Sequence, residues 1–396
     1  MHDQEPLYPD LYQPSTLRRS LPDWFANTMP AAAPIVNNGE LLDYLSSNNL
    51  AFVRQGFTIY DKNILIHSEL NSSQVKFYQD NGFATVHWWS HALIARDWYR
   101  YAEIDPNLGI DTTPSVLFNV YNRAWSGSRE YRLKFADLVI ESGLESQCRM
   151  IFASHDQGQY WRQHEFKNQG FLPKNDLELL PASQAQPWFS ADYSAHDYQT
   201  AWWDVVLETV FDDFRIHLTE KILRPIACGK PFVLAAAPGS LAILKRYGFK
   251  TFGEIVDESY DLECDSLTRL QKIISVMEDI ASWSSTQRIN AQHKIYEITD
   301  HNKRRFFSEK FQADVLQELD ENFAQALSDC QQHQQGRQWS KVRALARSQR
   351  DSRNFFTKDN VARSRSDIGK LCQQLRQSRR QLRDSNPLAN PAVETV

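Results

Sequence analysis

The strongest constraint on how this chain can fold is an alternation of short apolar runs with helical patterns, which occurs twice along it. From about Asn38 to Glu103, Ile64-Leu-Ile-His67 reads as a short strand and Ser72 to about Asp80 as a helix. Phe83–Trp88 reads as a second strand, followed by a helix through Ala92–Glu103. A short run that is apolar throughout has no face for water, so it belongs in a sheet covered on both sides. Strands separated by helices pair in parallel, because each crossover helix carries the chain back to the same end.

The segment 105–114, Asp-Pro-Asn-Leu-Gly-Ile-Asp-Thr-Thr-Pro, is loop-like and makes a boundary, after which the rhythm restarts. Ser115–Tyr121 reads as a strand, Arg129–Ser142 as a helix and Cys148–Ala153 as a strand. Residues 156–200 are polar and irregular. Trp203–Val210 then reads as a strand, Leu218–Cys228 as a helix, Pro231–Ala236 as a strand, Gly239–Tyr247 as a helix and Lys250–Phe252 as a strand. Two long helices follow, at about 266–283 and 288–328. The expected organisation is an α/β fold with two Rossmann-like domains, 1–110 and 111–285. Long helices at 286–335 pack back on the body, and a basic helical tail occupies 336–396.

The totals agree with this. Hydrophobic residues are 42% and aromatics 12% of 396 residues, with eleven Trp, which is ample for two packed cores. No apolar run approaches the length of a spanning helix, and the first residues, MHDQEPLYPDLYQP, lack the apolar core of a secretory signal. Five scattered cysteines with no CxxC spacing read as free thiols in a reducing, cytoplasmic setting, neither a disulfide framework nor a zinc site. The net charge of −5 is uneven: residues 337–396 carry 14 Lys and Arg against five Asp and Glu, leaving 30 basic and 44 acidic residues in the body. In the tail, Ile368, Leu371, Leu375 and Leu382 fall at helical spacing. That stripe suits a linker helix, a coiled coil, docking on another synthase module or peripheral contact with the anionic inner-membrane surface. With one aromatic pair, Phe355 and Phe356, and no recognisable module, the basic run does not read as nucleic-acid binding.

The chemistry concentrates between Glu208 and Leu234. There a strand, a polar loop and a helix N-terminus follow one another, and helix N-termini past strand ends bind anions through their unpaired N–H groups and dipole. Thr219 can cap that helix, Glu220 can accept two ribose hydroxyls, and Lys221 and Arg215 can meet a phosphate. An ordinary capped helix with solvated Glu and Lys is the plain alternative. Pro238, Gly239 and Ser240 open the next helix with a second small-residue turn of the same kind.

The run HLTEKILRPIACGKPFVLAAAPGSLAILKRYGFKTFGEIVDESYD resembles the donor-binding half of GT-B glycosyltransferases. It is similar to the T-E-K region of fucosyltransferase-like enzymes, and closer to bacterial and phage transferases with EK…GKPF…PGSL…GFKTF…DESYD. HDQEP, WSHALIARDWYRYAE and YNRAWSGSREYRLKFADL resemble the same set; together these segments cover about a third of the chain. The resemblance implies a nucleotide-sugar co-substrate and a glycan acceptor. It assigns Glu220 to the ribose, Lys221 and Arg215 to the phosphate, and the Pro238–Ser240 turn to the same pocket. Arg123, Arg129 and Arg132, at the first strand–helix junction of the second domain, face that cleft, with Arg129 and Arg132 one turn apart.

For acid/base work the candidate carboxylates are Asp3, Glu5, Glu69 and Asp212 or Asp213, and His217 is the first histidine to test. HDQEP follows only the initiator Met, so the strand expected before it is missing. The chain has no D-x-D triplet, which favours metal-independent transfer, with helix dipoles and Arg and Lys stabilising the leaving phosphate. Trp88, Trp89, Trp98 and Trp125 can stack on sugars or fill the core. The leading reading is a transferase acting on a bacterial surface glycan or lipopolysaccharide, with CMP-activated Kdo attractive because arginines can meet its carboxylate. The alternatives are a sugar-nucleotide epimerase of the same fold and a non-catalytic nucleotide- or sugar-binding scaffold.

Overall fold

Two parallel sheets carry the fold. The computed structural model describes residues 35–36, 64–80, 83–108, 114–181, 192–326 and 328–329. The chain divides into two compact units, Met1–Leu327 and Ser328–Val396, and the description below concerns the first. Asp3 and Glu5, and the basic tail stripe Ile368–Leu382, lie outside the described residues.

The first sheet has the order β1 (Ile35–Val36), β2 (Ile64–His67), β3 (Ala84–His87), all parallel, with Ile66 opposite Val86. Helix α1 (Ser73–Asp80) crosses from β2 to β3, burying Tyr78 against Leu65 and Phe83. Helix α2 (Ser90–Trp98) follows β3 directly. It gives way to a 3-10 turn at Arg100–Glu103, so the single helix expected through Glu103 is divided.

The second sheet has the order β5 (Cys148–Met150), β4 (Val116–Val120), β8 (Ala201–Leu207), β9 (Phe232–Ala235), again all parallel. The strands β4, β8 and β9 are buried almost throughout, as expected of apolar strands covered on both faces. Helix α3 (Tyr131–Glu141) joins β4 to β5; Tyr131 stacks on Phe211 at 4.3 Å and Phe171 closes the cluster. Helix α5 (Glu220–Ala227) joins β8 to β9, and α6 (Ser240–Arg246) follows β9. The chain therefore leaves β4 in one direction to reach β5 and continues in the other through β8 and β9. The adjacent pair β4 and β8 is a topological switch point, where crossovers diverge and a crevice opens beyond the strands' C-terminal ends.

The described residues between 156 and 200, irregular in sequence, are held by side chains. Strands β6 (His155–Asp156) and β7 (Gln159–Tyr160) form a hairpin whose turn residues Gln157 and Gly158 both have positive φ, at 51° and 79°. Beyond it, the Glu130 carboxylate accepts the N–H groups of Lys167 and Asn168, and the Asp137 carboxylate accepts those of Lys174 and Asn175. A short helix α4 (Ala195–Thr200), capped by Ser194, leads into β8.

Three expected elements differ. Lys250–Phe252 is not a strand: Asn302 holds both the N–H and C=O of Lys250, and Glu258 takes the N–H of Phe252, so side chains replace a ladder. Strand β8 ends at Leu207 rather than Val210. There the buried Glu208 carboxylate turns inward to accept the N–H and hydroxyl of Thr219, at 3.0 and 2.7 Å. After α7 (Ser266–Ser282), the second long helix is α8 (Ser285–Phe307) and stops at Ser308. Arg96 takes the carbonyls of Phe306, Phe307 and Ser308, and the Ser308 hydroxyl accepts the N–H of Phe311 to start the helical stretch 309–326.

Candidate functional site

At the switch point lies a cavity of about 510 Å³. Its floor is the end of β4 and the residues just beyond it, Asn119 to Ala124. Its walls are Arg129 and Arg132 from the start of α3, Arg149 and Ile151 from β5 and beyond, Asp197 from α4, and Glu220, Lys221 and Arg224 from α5. Six cations face two carboxylates. A strand–helix junction builds such a site naturally, because strand C-termini point their following residues into the crevice and α5 presents its N-terminal N–H groups there.

Each charge has a local anchor. Thr219 caps α5, its hydroxyl accepting the Lys221 N–H at 3.3 Å. Lys221 Nζ lies 2.9 Å from Glu220 Oε1 and 3.1 Å from Thr219 Oγ1. Arg149 pairs with Asp197 at 3.3 Å, and Asp197 also accepts the Tyr121 hydroxyl at 2.9 Å. Arg224 lies over the Tyr121 ring, 4.0 Å from its centre, and donates to the Tyr198 hydroxyl. Arg132 is buried and grips three carbonyls: Ala124 at 2.8 Å, Glu208 at 3.1 Å and Leu207. The loop leading to α3 is tied from below, since the Asp156 carboxylate accepts the N–H groups of Trp125 and Ser126 at 2.8 and 2.7 Å.

The pKa values of Arg123 and Arg129 are both depressed, first by burial and next by the neighbouring Arg132. Glu220 behaves oppositely. Burial works against its charge, yet Lys221 and His91 hold its pKa well below the usual carboxylate range. Crowded, partly buried arginines are stabilised by an anion placed among them, which removes the mutual repulsion and compensates their lost hydration.

Of the residues singled out in the sequence, the structure brings together Arg123, Arg129, Arg132, Glu220 and Lys221 in this cavity. Thr219 sits behind it as the cap. Arg215 and Glu69 lie elsewhere, paired with each other at 3.4 Å; Arg215 also contacts Asp213, and Glu69 accepts the Ser72 hydroxyl. Asp212 accepts the Asn168 amide. His217 is buried, with Ser68 Oγ 3.2 Å from its Nδ1 and the His91 ring edge-on at 5.3 Å. Trp88, Trp89 and Trp125 are core residues.

The Pro238–Ser240 turn is not part of the lining. Gly239 adopts φ 82°, and the anion at that helix start is the chain's own: Asp261 accepts the Leu241 N–H through both oxygens at 3.2 Å. Asp261→Ala should therefore cost about 1–2 kcal/mol, the scale of a lost helix cap. Denaturant midpoints should fall accordingly in urea titration of the variant.

Arg149, Arg224, Asn119, Tyr121 and Asp197 were not anticipated. Arg224 had a signal, being four residues after Glu220 and so on the same helix face. Arg149 had a weaker one, a charge in a short strand beside β4.

Comparison of the chain with protein-family models, with curated proteins and with solved structures gives no match. Among the described residues no helix is long and apolar enough to cross a membrane, and no cluster of His, Cys, Asp or Glu has metal-binding form.

Proposed function

We propose that the chain is a glycosyltransferase of the GT-B type whose nucleotide-sugar donor occupies the arginine-lined cavity. The observation that carries the reading is the concentration of six cations at the switch point of a parallel sheet, with Glu220 at the N-terminus of α5 inside the same cavity. Arg123 and Arg129 would hold the donor's phosphate, backed by Arg132, whose terminal nitrogens hold the carbonyls of Ala124, Leu207 and Glu208. They would stabilise the charge that develops there as the glycosidic bond breaks, in a site already arranged for it. Glu220 would accept the ribose hydroxyls, which lie on the opposite side of the nucleoside from its base. A CMP-linked acidic sugar such as Kdo suits the excess of positive charge, because its carboxylate adds a second anion.

The test is thermal unfolding with CMP, UDP, GDP, dTDP and ADP, for wild type and for the Arg123→Ala/Arg129→Ala double variant. A nucleotide at 100 times its dissociation constant should stabilise the wild type by about 2.7 kcal/mol. The double variant should lose most of that shift. If no nucleotide moves the wild-type transition, the transferase reading loses its support and a binding scaffold of another kind replaces it.

A further inference from the structure

We propose that His91, which lies outside the cavity lining, is a positioning residue that sets the Glu220 carboxylate for its ligand; this rests on the donor-site reading above. Among the described residues, each Glu220 carboxylate oxygen has one basic side chain within ion-pair distance. Lys221 Nζ is 2.9 Å from Oε1, and His91 Nδ1 is 3.1 Å from Oε2. The two partners differ in origin. Lys221 is the next residue on α5 and also reaches Thr219, so it moves with the helix. His91 comes from α2, at the C-terminal edge of the first sheet, and ties the Glu220 carboxylate to that half of the unit.

The rest of this contact zone is well braced. Leu70, after β2, and Ile216 exchange both backbone hydrogen bonds at 2.9 Å. Trp89 donates its indole N–H to the Leu218 carbonyl at 2.8 Å, and the Tyr99 hydroxyl reaches the Glu220 carbonyl. His217, itself beside Ser68, stands edge-on to the His91 ring. The imidazole is thus delivered to Oε2 by a framework that does not depend on Glu220.

An ionised carboxylate offers about four acceptor positions, so two protein partners leave two for neighbouring hydroxyls of a ribose. With His91 absent, a carboxylate whose side chain is 8% exposed would keep Lys221 as its one neighbour within ion-pair distance among the described residues and would turn toward it. The hydroxyl-facing lone pairs would then point elsewhere, while the arginines that meet the phosphate would be untouched. His91 therefore governs recognition of the sugar hydroxyls and leaves anion binding in place.

The experiment is isothermal titration of wild type, His91→Asn and His91→Leu with CMP, UMP and GMP and with the 2′,3′-dideoxy form of each. Melting temperatures establish that each variant is folded. Wild type should prefer its ribonucleotide over the dideoxy form by about tenfold or more, the scale of hydrogen bonds to a charged group. His91→Leu should bring that preference close to one, and His91→Asn, whose amide nitrogen stands where Nδ1 stood, should retain most of it. A folded His91→Leu with the wild-type preference overturns the positioning role alone. Wild type that binds none of these nucleotides overturns the donor-site reading and this proposal with it. Should His91→Leu fail to fold, His91→Ser, polar but too short to reach Glu220, is read in the same way.

Discussion

Replacing Arg132 by Met should destabilise the unit by about 3–5 kcal/mol, the range for leaving buried partners of a charged group unpaired. Its guanidinium is buried and holds the carbonyls of Ala124, Leu207 and Glu208. Those carbonyls belong to the loop after β4 and to the end of β8, the two sides of the switch-point crevice. Met fills the volume but donates nothing, so three carbonyls lose a donor at once, that of Glu208 keeping the Tyr131 hydroxyl. Arg132→Lys should recover only part of the loss, because a single ammonium cannot reach in the directions of a planar fork. Urea midpoints of the two variants would check both statements. A loss below about 1 kcal/mol for Arg132→Met would show that the loop closes over these carbonyls without it.

The second large effect is a dependence on pH with opposite signs at two buried sites. Burial, then His91 and Lys221, lower the pKa of His217 to about 3, so it folds neutral. Its folded value lies below its unfolded value of about 6.5, so the unfolded chain binds the extra proton. The stabilisation is complete above pH 6.5 and is lost as pH falls toward 3, by about 2 kcal/mol at pH 5. Asp204 runs the other way. Burial raises its pKa to about 6 although Arg224 opposes the shift, so the folded form holds its proton first. Stability from Asp204 is gained as pH falls through 6, by about 1 kcal/mol at pH 5. Relative to wild type, His217→Gln should become about 2 kcal/mol more stable between pH 7 and pH 5, and Asp204→Asn about 1 kcal/mol less stable. Chemical denaturation at the two pH values measures both. Parallel curves for wild type and His217→Gln would show that the folded histidine is charged.

The parallel α/β character, most strand positions and the cap at Thr219 were legible because each is written locally. An apolar run of the right length is a buried strand wherever it packs, and Thr-Glu-Lys after a polar loop starts a helix. The same locality explains why Arg123, Arg129, Arg132, Glu220 and Lys221 could be picked out: they sit at strand–helix junctions, where a parallel sheet opens its crevice. Lys250–Phe252 shows the limit. Its composition suits a strand, but Asn302, fifty-two residues away, takes its backbone groups.

The candidate site divides in the same manner. Pro238–Ser240 and Thr219–Lys221 look alike in sequence, as two small or polar turns opening helices. Asp261 takes the Leu241 N–H at the first turn, whereas at the second the Glu208 carboxylate binds Thr219 and leaves Glu220 and Lys221 lining the cavity. Arg215 was drawn away from the cavity by Glu69, 146 positions distant, and the helix expected to run unbroken past Ser308 was ended by Arg96. Periodicity and capping act within a few residues, so the sequence by itself determined most strands and helices and their parallel α/β alternation. Ion pairs and side-chain-to-backbone bonds join residues that no short-range pattern relates, so only the tertiary structure decided which charges face the crevice and which are spent holding the fold.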